Sequence, residues 1–129
     1  MGQIKIFGRR ELFARARTEI SDSIHAAVVE ALQYPEDKRF HRFIGLDDED
    51  FVHPADRSAD YLIIEISIFT GRTMVAKKAL IRGLFSRLAE SPGLAPQDVE
   101  ITIFETPREN WGIRGMPGDE LALGYQVTV

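Results

Sequence analysis

Apolar positions along the chain change their period several times, and each change marks an element. From Gln3 to Phe7 polar and apolar side chains alternate, the two-residue period of a half-buried strand. After Gly8 the period lengthens. Phe13, Ile20, Ile24, Val28 and Ala31 fall near helical spacing, which predicts a helix from about Leu12 to Gln33. Pro35 ends that helix and biases Tyr34 away from helical backbone, and Arg39 to Leu46 is predicted as a second strand. Tyr61 to Phe69 (YLIIEISIF) is nearly all apolar and rich in β-branched residues, as expected of a strand covered on both faces. Gly71 breaks it. Thr73 is placed to cap a helix from Met74 to about Glu90, in which Val75, Ala79, Gly83 or Leu84, and Leu88 share the predicted buried face. Pro92 and Gly93 close this helix, and Val99 to Glu105 is predicted as another strand.

The β-α-β order thus occurs twice, and residues repeat with it. Pro35 and Pro96, Asp37 and Asp98, and Phe43 and Phe104 all stand at one offset of 61 residues. Upstream, IFGRR at Ile6 to Arg10 echoes IFTGRT at Ile68 to Thr73. Right-handed crossovers would make the strands of each unit parallel and put both helices on one face of a four-stranded sheet. The expected fold is therefore of the α/β (α+β) class, a tandem βαβ repeat with short strands in the C-terminal tail. It would form one domain over residues 1–129, with pseudo-repeats at about 1–46 and 61–105 and a tail at 106–129. The other face of such a sheet lies bare. Strands this apolar ask for cover, and a second copy of the chain would supply it, which predicts a symmetric oligomer.

Charge and composition narrow the function. Sixteen basic and 20 acidic side chains give a net charge of −4 and a pI of about 5.4, without the basic footprint of a nucleic-acid binder. No cysteine is present, which excludes thiolate catalysis and sulfur-based zinc sites. The start, MGQIKIFGRR, has no apolar stretch of signal-peptide length, and no run in the chain is long enough for a membrane span, so a cytoplasmic protein is expected. The acidic stretch Asp47 to Asp50 lacks the spacing and central glycine of a calcium loop, and is read as a solvated loop. Gly112, Gly115 and Gly118 match neither a phosphate-binding loop nor a dinucleotide fingerprint. Neither a metal nor a cofactor is expected.

Four landmarks remain: Pro35 to Phe40 (PEDKRF), Gly71-Arg72-Thr73, Ser91 to Glu105 ending in PQDVEITIFE, and Asn110-Trp111-Gly112. Together with the paired βαβ units, they resemble the tautomerase superfamily, and within it the malonate semialdehyde decarboxylase-like branch, over nearly the whole chain. The resemblance implies a homotrimer in which three sheets face a common barrel and the tails reach across to neighbours. It also implies catalysis by an amino-terminal proline, acting as a base on keto–enol tautomers or as a cationic acid in decarboxylation and hydration. This chain carries Gly2 where the family has that proline. Removal of Met1 would leave Gly2 a primary α-amine with an ordinary pKa of about 8, open to lowering by burial. A retained Met1 would move the amine by about 3.5 Å, where even ~1 Å can cost about a hundredfold in rate.

The candidate residues follow from both lines. Arg72 matches a substrate-binding arginine of the family and sits where a helix N-terminus adds to the pull on a carboxylate; the other reading is a surface arginine paired with a neighbouring acid. Thr70 occupies the place of the branch's second arginine. Trp111 and Ile113 match the aromatic and apolar wall of the family pocket, although a lone tryptophan also serves simply as packing. Asp37 lies near an acidic residue that activates water or orients substrate in the branch, but a gapless alignment puts Lys38 there and leaves Asp37 a turn residue. In place of the proline stand three candidate catalytic groups: the Gly2 amine, the imidazole of His41, and Lys5 as a desolvated Schiff-base lysine. His25 and His53 are read as structural. The expected function is binding of a small carboxylate or oxo acid, with altered tautomerase (isomerase) or decarboxylase activity. The alternative is a non-catalytic ligand-binding or interaction trimer that kept the fold.

Overall fold

The structure, a computed structural model, describes residues 2–122 and 127. Strand β1 (Gly2–Arg9) leads into helix α1 (Arg10–Leu32) and strand β2 (His41–Leu46); β3 (Leu62–Phe69), α2 (Met74–Glu90) and β4 (Val99–Thr106) repeat the order. The tail adds a two-stranded ribbon, β5 (Gly112–Ile113) against β6 (Met116–Pro117). The main sheet runs β2-β1-β3-β4, parallel within each unit and antiparallel where β1 meets β3. Both expectations about topology hold.

Strand alternation sorts the side chains. Ile4 and Ile6 of β1 and Ile64, Ile66 and Ile68 of β3 point to the helices and are buried against Leu12, Phe13, Ile20 and Ile24 of α1 and Leu80, Leu84 and Leu88 of α2. The buried stripe of α2 is shifted by one residue from the expected face. It runs Ala76, Leu80, Leu84, Leu88, while Val75 is 79% exposed and Ala79 lies outside. Both registers satisfy a four-residue period, but the observed one buries three leucines and therefore more apolar area.

Two boundaries also move. β1 does not stop at Gly8: it runs to Arg9 and passes into α1 without a loop. A Cβ at Gly8 would come within 2.8 Å of Phe13 Cζ, so the glycine is where the first turn of α1 closes over the strand. β2 begins at His41 rather than Arg39, because residues from Pro35 onward first complete a turn in which Lys38 N–H donates to the Pro35 carbonyl at 3.1 Å.

The sequence repeat does not carry over into facing. Phe43 packs inward, edge-on to Phe13 at 5.0 Å, whereas its counterpart Phe104 is 47% exposed on the other face of the sheet. A slip of one residue between similar strands reverses every side chain. That outer face carries half-buried Phe7, Ile44 and Ile63 beside Lys5, Arg42 and Glu65. Among the described residues it is the face that the topology leaves without a helix. The acidic stretch is exposed, with Asp47 paired to Arg10 and Asp48 to Arg9. Among the described residues no helix is long and apolar enough to cross a membrane.

Candidate active site at the start of the first strand

Three segments converge where β1 begins. α1 ends at Leu32, and Gln33 adopts the left-handed conformation (φ 52) with its N–H on the Val29 carbonyl. That cap turns the chain so that Tyr34 is buried, 5% exposed, with its Oη accepting a hydrogen bond from Gly2 N–H at 2.7 Å. The third segment is the turn after β3. Gly71 takes φ 128, a region that favours glycine, and Thr73 Oγ1 caps α2 by accepting from Ala76 N–H at 3.0 Å. Between them Arg72 is turned inward, 7% exposed, and its Nη1 donates to the Leu32 carbonyl at 2.5 Å. A cation therefore closes the negative end of α1 and satisfies one of its last carbonyls.

Burial sets the electrostatics of this junction. It raises the Tyr34 phenol above its ordinary value, opposed by the hydrogen bond from Gly2 and then by the charge of Arg72. It likewise lowers the Arg72 guanidinium, with Tyr34 opposing. Beside the junction a narrow apolar cavity is lined by Gly2, Ile4, Leu32, Tyr34, Ile66 and Ile68, with Lys38, His25 and His41 supplying polar groups. Its free space is ≈ 10 Å³, about one water molecule. Roomier grooves lie elsewhere, ≈ 420 Å³ between α1 and α2 and ≈ 600 Å³ around Arg9, His53 and Arg57, but neither touches Gly2, Tyr34 or Arg72.

The structure gathers some of the expected site residues and disperses others. Gly2 and His41 line the same cavity. His41 Nδ1 lies 2.8 Å from Ser21 Oγ, and burial, then the Arg39 cation, push its pKa down to about 4. So weak an imidazole is a poor base at neutral pH. Lys5 stands on the outer face of the sheet, between Arg42 and Glu65, and does not reach the cavity. The cause is strand parity, since residues 2 and 5 point to opposite faces. Asp37 is exposed in its turn, and Lys38 lines the cavity instead. Arg72 is buried rather than exposed, and a helix carbonyl holds it. Trp111 donates from Nε1 to Thr106 Oγ1 at 2.6 Å and lies edge-on to Phe69 at 5.1 Å, and neither it nor Ile113 of β5 lines the cavity. Met1, whose removal the Gly2 amine requires, lies outside the described residues.

Tyr34 was not among the expected residues. Its signal was present, because a buried tyrosine needs a partner for its hydroxyl and this one follows directly on an apolar helix.

The family described as tautomerase enzyme matches residues 38–114 of this chain. The chain belongs to the tautomerase family. The 2-hydroxymuconate tautomerase of Pseudomonas putida is 40% identical to it over 57 residues, covering 44% of this chain and 90% of that one. Among solved structures, FG41 malonate semialdehyde decarboxylase inhibited by 3-bromopropiolate is 29% identical with a TM-score of 0.72, covering 94% of this chain and 98% of that one. A symmetric trimer of wild-type fused 4-OT shares the fold at 19% identity and a TM-score of 0.78, covering 91% and 96%. In this tautomerase-family chain the start of β1 brings together a nitrogen, a phenol and a guanidinium. One group can carry a proton if it is an amine, one is a hydroxyl held neutral, and one attracts an anion.

Proposed function

We propose that the protein is a homotrimeric tautomerase-family enzyme acting on a small oxo acid, with the α-amine of Gly2, freed by loss of Met1, in place of the family's proline. The observation that carries this reading is the junction itself: the Gly2 nitrogen is bound to Tyr34 at 2.7 Å, and Tyr34 lies in the field of the buried Arg72. The names of the relatives point to enol or oxo carboxylic acids, which ask for one cation and one proton carrier. Arg72 supplies the positive charge that draws the carboxylate. The amine lone pair takes the enol hydroxyl proton as the C=O bond forms, and the C=C electron pair takes a proton back at carbon, so the amine ends as it began. Trp111 and Ile113, which do not line the cavity of their own chain, would complete the pocket of a neighbour across the outer sheet face. Asp37 and Lys5 have no part in it.

An intact mass of protein from its native cell, with a phenylpyruvate enol–keto assay on the same preparation, tests the proposal. Loss of Met1 is expected, with saturable ketonisation that vanishes when the α-amine is acetylated. Retained Met1, or no turnover by a chain that has lost it, overturns the enzyme reading. A competing reading has one specific observation in its favour, the engagement of Arg72 with the Leu32 carbonyl. An arginine used as a helix cap suits a trimer that binds a carboxylate without transforming it, which carboxylate binding without ketonisation would establish.

A further inference from the structure

Among the described residues, the polar side chain bound to the Gly2 nitrogen is Tyr34, a residue the family resemblance did not point to. Gly2 N–H donates to Tyr34 Oη at 2.7 Å, and a Cβ at Gly2 would lie 3.5 Å from the same oxygen, so the phenol packs directly against Gly2 at the head of β1. Tyr34 is held from two sides. The left-handed cap at Gln33 fixes its backbone, and Arg72, bound to the Leu32 carbonyl, fixes the end of the helix it follows. From this geometry we infer that Tyr34 is a positioning residue for the Gly2 α-amine, holding it in place and stabilising its protonated form. The inference rests on the amine reading given above and deepens it.

The sign follows from the groups that face the nitrogen. On the α1 side the phenol oxygen accepts from it, and a bond from an ammonium is stronger than one from a neutral amine. From the turn before α2, the cation of Arg72 opposes protonation, as does burial among Ile4, Leu32 and Ile68. Lys38, His25 and His41 line the cavity on the β2 side. On β4, Glu105 pairs with Ile68 in register and is tied to Lys77 at 2.7 Å. The phenol is thus the acceptor in direct contact with the nitrogen, and burial keeps it protonated and neutral through the working range. Without Tyr34 an amine here would lose its direct acceptor and keep Arg72 and burial against its charge, with Glu105 already engaged by Lys77.

Protein labelled with 15N-glycine tests this in wild type and in Tyr34→Phe, which keeps the ring and its packing. An α-amine nitrogen resonates far from amide nitrogens, so among the 10 glycines Gly2 identifies itself when it heads the chain. In wild type an amine signal should titrate. In Tyr34→Phe its midpoint should fall by about one pH unit, the size expected from losing one hydrogen bond to a charged group. The acidic limb of the kcat profile for phenylpyruvate ketonisation should move with it. The remaining glycine amides should stay in place, which shows that the fold is intact. An unchanged midpoint beside a titrating wild-type amine overturns the role of Tyr34 and leaves the amine reading standing. Absence of an amine signal in wild type overturns both.

Discussion

The two strand-to-helix turns, IFGRR and IFTGRT, are made of nearly the same residues and do different work. In the first unit the strand passes into the helix without a turn, Gly8 lies under Phe13, and Arg9 reaches sideways to Asp48 at 2.7 Å, an acid whose side chain is 79% exposed. In the second, Thr70 and the left-handed Gly71 insert a turn, and the arginine goes inward to the last carbonyl of the other unit's helix. One inserted residue decides whether the arginine serves a surface loop or the interior. Through Leu32, that interior arginine also fixes Tyr34, and through Tyr34 the head of β1. The asymmetry between the units is therefore what builds the candidate site at one end of the sheet.

The largest test of this comparison concerns the phenylalanines. Phe43→Ala should cost about 3 kcal/mol in urea unfolding, because it empties the space against Phe13. Phe104→Ala should cost well under about 1 kcal/mol of subunit stability, since the side chain is 47% exposed, but should weaken the proposed trimer in sedimentation velocity. Equal costs for the two, with unchanged assembly, would mean that the repeat is symmetric after all. The arginines come next. Arg72→Met should lose about 2 kcal/mol, as the Leu32 carbonyl is left buried without this donor, and Arg9→Met less than about 1 kcal/mol, typical of an ion pair with an exposed partner.

Much of this architecture was legible in the sequence because alternation and helical periodicity are local. The four long strands, both long helices and the parallel pairing within each unit follow from apolar spacing and the crossover rule. Register is where local reading stopped. Val75 and Ala76 satisfy the same period, and only packing on the sheet chooses between them. The repeat at one fixed offset aligned Phe43 with Phe104 although they face opposite ways, because residue identity carries no information on parity across a slipped strand. Within the site, Gly2 is a candidate through the family resemblance alone, and Arg72 through that resemblance and its place at a strand-to-helix turn. Tyr34 was passed over because its partner lies 32 residues away, on a strand whose pairing no local pattern reveals. Lys5 is near Gly2 in sequence, but strand parity turns it to the other face of the sheet.

Acid should act on the first unit more than on the second. β2 meets α1 through His41 and Ser21, whereas β4 meets the helices through Ile101 and Ile103. The folded-state pKa of His41 lies near 4 and the unfolded value near 6.5, so between them the unfolded chain binds the extra proton. Stability contributed by the neutral imidazole is complete above about pH 6.5 and lost as pH falls toward about 4. The loss should reach about 2 kcal/mol once screening at a partly open site is allowed for. Urea midpoints from pH 7 to 4.5 should fall less steeply in His41→Gln, and parallel curves would show that the histidine plays no part.

The smallest contrast is between the repeated aspartates. Asp98 is 7% exposed and accepts from both Ser58 N–H, at 2.7 Å, and Ser58 Oγ, at 2.5 Å, so it pins the long connection between β2 and β3 to the start of β4. Asp37 stands at the matching offset, exposed in its turn, beside the lysine that lines the cavity. Asp98→Ala should therefore cost about 1–2 kcal/mol, through the loss of two hydrogen bonds from Ser58 to a charged, buried acceptor, and Asp37→Ala should stay within about 0.5 kcal/mol. Ketonisation separates the same pair in the other direction if Asp37 has a chemical role that its exposure hides. A fall in kcat for Asp37→Ala at unchanged stability would bring that aspartate back into the site, and with it the need for a neighbouring subunit to cover it. Equal activity in both variants would leave the second unit's aspartate a clamp, the first unit's a turn residue, and the site to the junction at Gly2.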